Sequence, residues 1–366
     1  MTDQERAWEA YIESELPIIR QHLSTYHITL LPEQPHLKGE RFLIQALTTV
    51  GGKKLILLGT NTTTQQKVVI KATRETAGKA ELIHERTCRS LLHAMKFSYE
   101  SFHSPKEVLF VEVEGYTLYV GEFIEQTSSF LERPIEEQFN FALRALKAQE
   151  HTRATTATHL DAVRQVFGTK TSTDYRTMAE GFLQHIEKHP TLIEASALVK
   201  KVTELLNQNL NRVDQYCGFL THTDFVPHNF RIRDDVLYLL DFSSLRFGNK
   251  HEGWARFLNF MTLYNPALET LLLTYVRENR SPEEVESLHL MRLFRLAEII
   301  AYYSETLVRS SGNVHELNRA RIDYWSAVLE AELHHTSVSS EITKTYIARR
   351  DGLRSDGEKE RQIGLH

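Results

Sequence analysis

The sequence contains few of the residues that mark extracellular and membrane proteins. Only two cysteines occur among its 366 residues, Cys88 and Cys217, and both lie in apolar stretches far from each other. We therefore expect buried, reduced thiols and no disulfide framework. No apolar run approaches the length of a bilayer span, and the start, Met-Thr-Asp-Gln-Glu-Arg, has no charged-then-apolar leader pattern. These absences predict a cytoplasmic protein with no membrane segment.

An excess of positive charge is also missing, and so are several common metal and nucleophile motifs. The formal net charge is -5 at pH 7, whereas nonspecific binding of nucleic acid needs a basic patch. The 18 histidines form no His-Glu-x-x-His motif, and there is no close pair of cysteines. A Gly-x-Ser-x-Gly turn is absent too. The sequence thus indicates that nucleic acid is not a partner, and it favours neither a zinc site nor a serine hydrolase.

The apolar residues make up an ordinary 41% of the chain, but their spacing changes along its length. Apolar residues at helical spacing predict a helical extension in residues 1–37. Alternating β-branched runs around one helix predict a β-rich lobe in residues 38–124. Long helical patterns with little glycine or proline predict a larger, mostly helical lobe in residues 125–348. The charged, glycine-containing residues 349–366 predict a flexible tail.

The most informative feature is a group of polar residues around two short apolar runs. Asp224 and Asn229 lie five residues apart, and Asp241 follows twelve residues later at the end of a predicted strand. Kinase-type phosphotransferases use this arrangement to hold Mg-ATP against an alcohol. A single Asp or Asn in a loop usually makes a turn or a cap, so the prediction depends on the combination.

The spacing of this group has a structural explanation. The runs 230–233 and 236–240 flank Asp234-Asp235, which predicts a tight hairpin. Pairing of the two strands brings Asn229 and Asp241 together at the open end, roughly 5 Å apart across the ladder. Carboxylate and amide oxygens suit Mg²⁺, which usually takes only one or two ligands from the protein.

The segment that precedes the hairpin predicts a loop rather than a helix. Asp224 lies there, shortly before Pro227, in a stretch that is polar and interrupted. From a loop beside the mouth of the hairpin, its carboxylate can accept the proton of an attacking hydroxyl.

These residues resemble the catalytic segment of the aminoglycoside phosphotransferase and choline kinase superfamily, which has a loop of the form His-x-Asp-x-x-x-x-Asn and a later Asp. The resemblance implies an α+β, two-lobed protein-kinase-like fold, with a small antiparallel β-sheet lobe and a larger, mostly helical lobe. It also implies that Asp224 is the catalytic base, that Asn229 and Asp241 bind Mg²⁺, and that His222 supports the loop. Glu252 stands where the superfamily commonly has an acidic residue that buttresses this loop.

A kinase also needs a cation on the phosphates of the nucleotide, and Lys71 stands in a suitable place. The β-branched run Val68-Val-Ile-Lys71-Ala resembles the third strand of the superfamily, whose lysine pairs with the α and β phosphates. That lysine needs an acidic partner. On the helical pattern that follows, Glu85 is the better candidate, and Glu81, one turn earlier, is the alternative.

Two further nucleotide contacts are expected in the first lobe. Gly51 and Gly52 offer backbone N–H groups that can approach phosphate, although the pair matches no phosphate-loop pattern and a simple hairpin turn explains it equally well. Alternating runs around Glu114-Gly115 predict a second hairpin, whose end resembles the hinge between the lobes. The main chain of Glu122 and Ile124 would then contact the adenine.

The sequence therefore predicts an enzyme that transfers the γ-phosphoryl group of Mg-ATP to a hydroxyl of a small molecule, such as an aminoglycoside, choline, ethanolamine or a sugar. A quaternary ammonium acceptor would need an aromatic cage and an aminoglycoside an acidic pocket, and the sequence locates neither. Two other classes remain open at this point. One is a nucleotide-binding pseudokinase that acts as a scaffold, and the other is a helical interaction protein.

Overall fold

The protein has two lobes, each with its own hydrophobic core. The computed structural model describes residues 3–38, 53–94, 103–152 and 157–363. A small lobe formed around an antiparallel sheet precedes a larger, mostly helical lobe. The predicted α+β architecture is confirmed.

The small lobe is built on one sheet. Its strands are β1 Ile28–Leu30, β2 Leu55–Asn61, β3 Lys67–Thr73, β4 Glu107–Val113 and β5 Tyr116–Glu122. They pair antiparallel throughout, in the spatial order β1-β2-β3-β5-β4. Side chains alternate across the sheet, so Leu55, Leu57, Val68 and Ile70 are all buried in the core of this lobe.

Two helices complete the small lobe. Helix α1 (Asp3–Ser24) continues through Pro17 and buries Ile19 and Leu23 in the core of the sheet. Helix α2 (Thr76–Ala94) contacts β3 and β5. The long helix of the amino-terminal extension and the single helix of the β-rich lobe are therefore present as the spacing of apolar residues predicted.

The larger lobe contains most of the helices. They are α3 Ile135–Glu150, α4 Ala157–Val166, α5 Ser172–Glu187, α6 Ile193–Gln208, α7 Leu210–Gln215, α8 Glu252–Tyr264, α9 Pro266–Asn279, α10 Pro282–Leu307, α11 Gly312–Leu333, α12 Ser340–Leu353 and α13 Asp356–Ile363. Helix α10 lies at the centre of this lobe, where Met291, Leu293 and Phe294 are completely buried. It contacts α5, α8 and α11.

Two small sheets between helices α7 and α8 hold the polar segment identified in the sequence. The strands are β6 Phe219–His222, β7 Phe230–Arg233, β8 Val236–Leu239 and β9 Leu245–Gly248. Strand β6 pairs with β9, and β7 pairs with β8. Asp234 and Asp235 connect β7 to β8 with φ values of 52° and 60°, as a two-residue hairpin turn requires. The predicted hairpin is confirmed.

The second predicted hairpin is also present. Strands β4 and β5 are joined by Glu114 and Gly115, with φ values of 46° and 85°. Its turn is therefore of the same left-handed kind, and β5 ends at the junction of the two lobes.

The carboxy-terminal segment differs from its prediction. Charge and glycine content predict a flexible tail in this segment. In the structure, residues 349–363 instead include the end of helix α12 and the whole of α13. Arg350 is buried against the larger lobe, and α13 contacts the short turn Pro35–Leu37 of the small lobe. Charged composition indicated solvent exposure here, but the Arg350 guanidinium lies over the rings of Tyr264 and Tyr346.

Two other features concern the cysteines and the candidate membrane spans. Cys88 and Cys217 are free thiols, as predicted, and burial raises the pKa of each to about 12. Within the described residues, no helix combines the length and the apolar character that a membrane span requires.

Candidate active site

Lys71 and Glu85 form a buried ion pair between strand β3 and helix α2. Lys71 Nζ lies 2.7 Å from Oε2 and 2.9 Å from Oε1 of Glu85, whose residue is only 5% exposed. The alternative partner, Glu81, instead contacts Lys54. The choice that the sequence left open is therefore resolved in favour of Glu85.

The charge of Lys71 is secured by two carboxylates. Burial acts to lower the pKa of Lys71, but Glu85 and Asp241 outweigh it and raise the pKa above its ordinary value. Lys71 therefore stays cationic, and it lies within electrostatic range of Asp241 in the other lobe. The cleft between the lobes thus has a fixed positive charge on one wall and a carboxylate on the other.

Asp241 is held in an uncommon backbone conformation two residues after the end of strand β8. Its φ and ψ are 58° and 60°, a left-handed conformation that non-glycine residues rarely adopt. The hydroxyls of Ser243 and Ser244 donate to its two carboxylate oxygens. Burial acts to raise the pKa of Asp241, but Lys71 and Ser243 outweigh it, so the pKa is below its usual value and the group is ionised.

His222 lies under the hairpin and connects its two sides. Its Nε2 is 3.0 Å from the backbone oxygens of both Leu240 and Asp241, so a proton on Nε2 is donated to this turn. Burial lowers the pKa of His222, which leaves the imidazole neutral at pH 7. The structure therefore places His222 against the turn that leads into Asp241, and its role as a support of the loop stays a prediction.

Asp224 is placed between an amide and a guanidinium. Asn229 Nδ2 donates to Asp224 Oδ2 at 3.0 Å and to the Asp224 backbone oxygen at 2.8 Å. Arg256 donates to Oδ1 from Nε at 3.0 Å and from Nη2 at 2.9 Å. Burial acts to raise the pKa of Asp224, but Arg256 outweighs it and holds the pKa well below the usual range. The carboxylate is therefore ionised and can accept a hydrogen bond from an alcohol.

The oxygen atoms of Asn229 and Asp241 fit a hard divalent cation. Because Asn229 Nδ2 makes both of its bonds to Asp224, the amide is oriented and its Oδ1 remains for a cation. The amide of Leu240 donates to the Asn229 backbone oxygen at 2.8 Å, which keeps Asn229 beside Asp241. In the described parts of the chain, no group of three or more His, Cys, Asp or Glu side chains is arranged to hold a metal. A Mg²⁺ ion here would thus take most of its ligands from phosphate and water.

Glu252 was expected to buttress the loop that carries Asp224, but its contacts lie elsewhere. The Glu252 carboxylate is fully buried and accepts from Lys170 Nζ at 2.9 Å, Tyr175 Oη at 2.6 Å and Arg295 Nη1 at 3.3 Å. These bonds anchor the start of helix α8 to the core of the larger lobe and do not reach the loop.

Gln149, on helix α3, supplies the contact that was expected from Glu252. Its Oε1 accepts from the His222 amide at 3.1 Å and from Thr221 Oγ1 at 3.3 Å. Thr221 Oγ1 in turn accepts from the Gly253 amide at 3.0 Å. The neutral amide of Gln149 therefore holds β6 against α3, and Thr221 holds β6 against α8.

The remaining predicted nucleotide contacts lie at the junction of the lobes or outside the described residues. Glu122 ends β5, its amide donates to the Lys106 oxygen at 2.9 Å, and its carboxylate accepts from Arg233 Nη1 at 2.6 Å. Ile124 follows two residues later and is buried. The main-chain contact of these two residues with adenine stays a prediction. Gly51 and Gly52 lie outside the described residues.

Two residues of the site were missed in the sequence, Arg256 and Gln149. Arg256 stands in His-Glu-Gly-Trp-Ala-Arg, four positions after Glu252, and this spacing places it on the same face of a helix. That spacing was the available signal. No local pattern distinguishes Gln149, because its role depends on the packing of α3 against β6.

Comparisons with known proteins identify the fold. No protein-family model matches the sequence, and no curated protein matches it. Several solved structures do match. The GDP complex of wild-type aminoglycoside 2'-phosphotransferase-IIIa has a TM-score of 0.56 at 14% identity, over 84% of this chain and 98% of that chain.

Two further structures have similar scores. A thermostable mutant of aminoglycoside phosphotransferase APH(4)-Ia, in a ternary complex with AMP-PNP and hygromycin B, has a TM-score of 0.53 at 14% identity, over 78% of this chain and 97% of that chain. Amicoumacin kinase hAmiN, in complex with AMP-PNP, Ca²⁺ and Ami, has a TM-score of 0.52 at 11% identity, over 86% and 90%. At these identities the similarity shows the fold alone. The chain has the fold of the aminoglycoside phosphotransferases, and the predicted kinase-like fold is confirmed.

Proposed function

We propose that the protein is an ATP-dependent phosphotransferase that moves the γ-phosphoryl group of Mg-ATP to a hydroxyl of a small molecule. The observation that carries the proposal is the joint placement of the Lys71–Glu85 ion pair, Asp241 and the Asp224–Asn229 pair in one cleft. Solved structures of the same fold that are crystallised with AMP-PNP, one of them also with hygromycin B, support it.

Each group has a separate task in this reaction. Lys71 neutralises the α and β phosphates, and Glu85 keeps its ammonium group in place. Asn229 and Asp241 hold Mg²⁺, which when bound supplies positive charge against the phosphates. Asp224 orients the acceptor hydroxyl and takes its proton. Positioning and charge neutralisation provide most of the acceleration, since little covalent chemistry falls to the protein.

Each lobe would bind one of the two substrates. Residues 38–124 would bind the nucleotide and residues 125–348 the acceptor. Free thiols and a need for Mg-ATP both fit a location in the cytoplasm.

A catalytically inactive nucleotide-binding scaffold is the alternative from the sequence, and the site does not favour it. A pseudokinase commonly lacks one of the charged groups, whereas Lys71, Asp224, Asn229 and Asp241 are all present and in contact with suitable partners. Retained nucleotide binding without any ADP release, whatever the acceptor, would favour the scaffold.

Thermal unfolding with and without Mg-ATP tests the nucleotide site. At about a hundredfold excess over the dissociation constant, binding should add about 2.7 kcal/mol to the free energy of unfolding. The Asp241→Asn variant should lose this metal-dependent gain, because an amide binds Mg²⁺ more weakly than a carboxylate while Asn tolerates the left-handed backbone. Asp234→Asn, at the exposed tip of the same hairpin, is the matched control and should behave like the wild type. Stabilisation that is equal in all three proteins, or absent from all, would contradict the proposal.

A further inference from the structure

Helix α2 carries two adjacent side chains that contact different lobes. Glu85 bonds to Lys71 on strand β3 of the small lobe. His84, the residue before it, contacts Arg246 on strand β9 of the larger lobe, with its Nε2 3.3 Å from Nη1 of the guanidinium. Successive residues of a helix point about 100° apart, so this helix can reach both lobes at one level. The position of α2 is therefore fixed from two sides.

Arg246 belongs to the backbone that forms the site in the larger lobe. Strand β9 pairs with β6, where Leu245 lies opposite His222. Arg246 Nη1 also donates to the backbone oxygens of Ser243 at 2.7 Å and of Leu245 at 2.6 Å. The hydroxyl of Ser243 in turn donates to the carboxylate of Asp241. The guanidinium is thus attached to the same turn that holds Asp241.

The contact between the lobes has a defined donor and acceptor. A guanidinium can only donate, so His84 Nε2 is the acceptor and the neutral ring carries its proton on Nδ1. Burial and then Arg246 lower the pKa of His84 and outweigh the opposite influence of Glu81 and Glu85, so the imidazole is neutral at pH 7. The Cys88 thiol, one turn along α2, lies 3.6 Å from the same nitrogen. The ring is therefore oriented from its own helix as well.

Arg246 does more than brace its own turn. Among the residues that the structure describes, its guanidinium has no carboxylate partner, and the only side chain to which it donates is that of His84. Bonds to backbone oxygens alone would suffice for a brace. Helix α2 also packs against the turn Phe242–Ser244, so the bond to His84 lies at a direct contact between the helix and the site.

We propose that Arg246 and His84 are positioning residues that hold α2 against the turn after Asp241. Their bond keeps the Lys71–Glu85 pair facing Asp241 across the cleft, so that both lobes bind the same nucleotide. This inference rests on the proposed phosphotransferase function and adds to it a link between the two halves of the nucleotide site. Neither residue of the link touches the nucleotide. Without the link, α2 can move away from the cleft, and binding of the Mg-nucleotide weakens.

Two substitutions of His84 test the link. His84→Gln keeps an oxygen that can accept from Arg246, whereas His84→Leu keeps the bulk of the side chain and removes the acceptor. Titration calorimetry with Mg-AMP-PNP and the full-length protein should give a dissociation constant about tenfold higher for His84→Leu and close to the wild type for His84→Gln. His93→Leu, at an exposed position near the end of the same helix, is the matched control and should bind like the wild type. A side chain that acted only by packing would give the reverse order, with His84→Leu the better binder.

Substitutions of Arg246 test the other end of the bond. Arg246→Gln should weaken binding of Mg-AMP-PNP by at least as much as His84→Leu, and Arg246→Lys should recover part of the loss, because an ammonium group still donates. In the double variant His84→Leu with Arg246→Gln, the loss should be close to that of Arg246→Gln alone, since both changes remove one contact. Arg277→Gln, at an exposed position of helix α9, should match the wild type.

The possible failures are distinct. If Mg-AMP-PNP does not bind to the wild type, the proposed function fails and this inference fails with it. If the nucleotide binds but His84→Leu binds it as tightly as the wild type, or His84→Gln as weakly as His84→Leu, only the link is overturned. Additive losses in the double variant would overturn it too. Arg246→Gln also removes bonds within its own turn, so if that variant does not fold, the comparison of His84→Leu with His84→Gln decides.

Discussion

At the scale of single residues, Arg256 has the largest influence among the neighbours that keep Asp224 ionised. A carboxylate in this partly closed site would have a raised pKa from burial alone, and Arg256 reverses the direction. A base with a low pKa is a weak proton acceptor, but it is ionised over the whole physiological range and orients a hydroxyl well. Phosphoryl transfer needs this orientation more than it needs a strong base, because the proton leaves late in a loose transition state.

The pH dependence of activity tests this role of Arg256. In Arg256→Gln the positive charge is lost while burial remains, so the pKa of Asp224 should rise. Since Asp224 acts in its ionised form, the acidic limb of the kcat/KM profile should move to higher pH, with the alkaline limb unchanged. Arg277→Gln, at an exposed position of helix α9, should leave the profile as in the wild type. An unshifted acidic limb in Arg256→Gln would show that Arg256 does not control Asp224.

Arg256→Gln should also change how the free energy of unfolding depends on pH. A carboxylate whose folded pKa is depressed contributes stability above its unfolded pKa of about 3.9, and this contribution is lost as the pH falls through the folded value. Arg256→Gln should therefore remove most of the contribution of Asp224, and urea unfolding should show a smaller difference between neutral and acidic pH than in the wild type.

Matched substitutions of Glu85 and Glu81 test which glutamate positions Lys71, the lysine proposed to bind phosphate. Both lie on α2, but Glu85 bonds to Lys71 and Glu81 contacts Lys54. Glu85→Gln should release Lys71 from its position and weaken ATP binding about tenfold, which corresponds to about 1.4 kcal/mol. Glu81→Gln should have little effect, because its pair is more exposed. Titration calorimetry with Mg-AMP-PNP measures both, and equal losses would contradict the assignment of Glu85.

At the scale of elements, the site is assembled where β6, α3 and α8 meet. The Gly253 amide bonds to Thr221, and Gln149 bonds to the His222 amide. A glycine is required at this contact, because a Cβ on Gly253 would lie 2.6 Å from Gln149 Oε1, 2.9 Å from Thr221 Oγ1 and 3.3 Å from the His222 oxygen. Close packing of a helix start against a strand thus fixes the backbone that leads into Asp224.

Gly253→Ala should therefore disturb both stability and activity. Displacement of Gln149 and Thr221 should cost about 1–3 kcal/mol in the free energy of unfolding and lower kcat through the altered position of the loop. Gly352→Ala is the control, since a Cβ there meets nothing within 4 Å at an exposed position of helix α12, and should be neutral or slightly stabilising. Guanidinium chloride unfolding and ADP release measure the two effects. A Gly253→Ala variant as stable as Gly352→Ala would show that the contact at β6 is not tightly packed.

The same elements explain how far the sequence could predict the site. The β7–β8 hairpin was predictable because two β-rich runs flank a turn pair, and Lys71 with Glu85 because a strand and an amphipathic helix follow each other closely. Gln149 contacts a residue 73 positions away, and no local pattern encodes such a pair. Arg256 contacts a residue 32 positions away, and only its spacing from Glu252 pointed to it. The helical residues 349–363 were missed for the same reason, since Arg350 is covered by Tyr264, 86 positions away.

At the scale of the whole molecule, each lobe has its own hydrophobic core, and helix α2 packs between them. The core of the small lobe contains buried residues of α1 and the five-stranded sheet, and the core of the larger lobe contains those of its helices and small sheets together with Cys88 of α2. Arg233 and Glu122 form one bond between the lobes at 2.6 Å, and Lys38 and Glu360 form another at 3.2 Å. Both pairs are substantially exposed, and such pairs contribute little to stability. Because the two cores are distinct clusters, we expect the lobes to unfold in separate steps when no nucleotide is bound, and a nucleotide that contacts both should couple them.

Differential scanning calorimetry of two core variants tests this independence. Leu57 lies in the core of the small lobe and Leu293 in that of the larger lobe, and both are completely buried. Each substitution to alanine should cost about 2–5 kcal/mol in its own unit. Without nucleotide we expect two transitions, the lower one from the small lobe because a smaller unit buries a smaller fraction of its surface. Leu57→Ala should lower only the midpoint temperature of the first transition, and Leu293→Ala mainly that of the second. In the wild type, Mg-AMP-PNP should bring the two midpoint temperatures together. A single transition that both variants lower equally, with calorimetric and van't Hoff enthalpies in agreement, would show that the lobes form one cooperative unit.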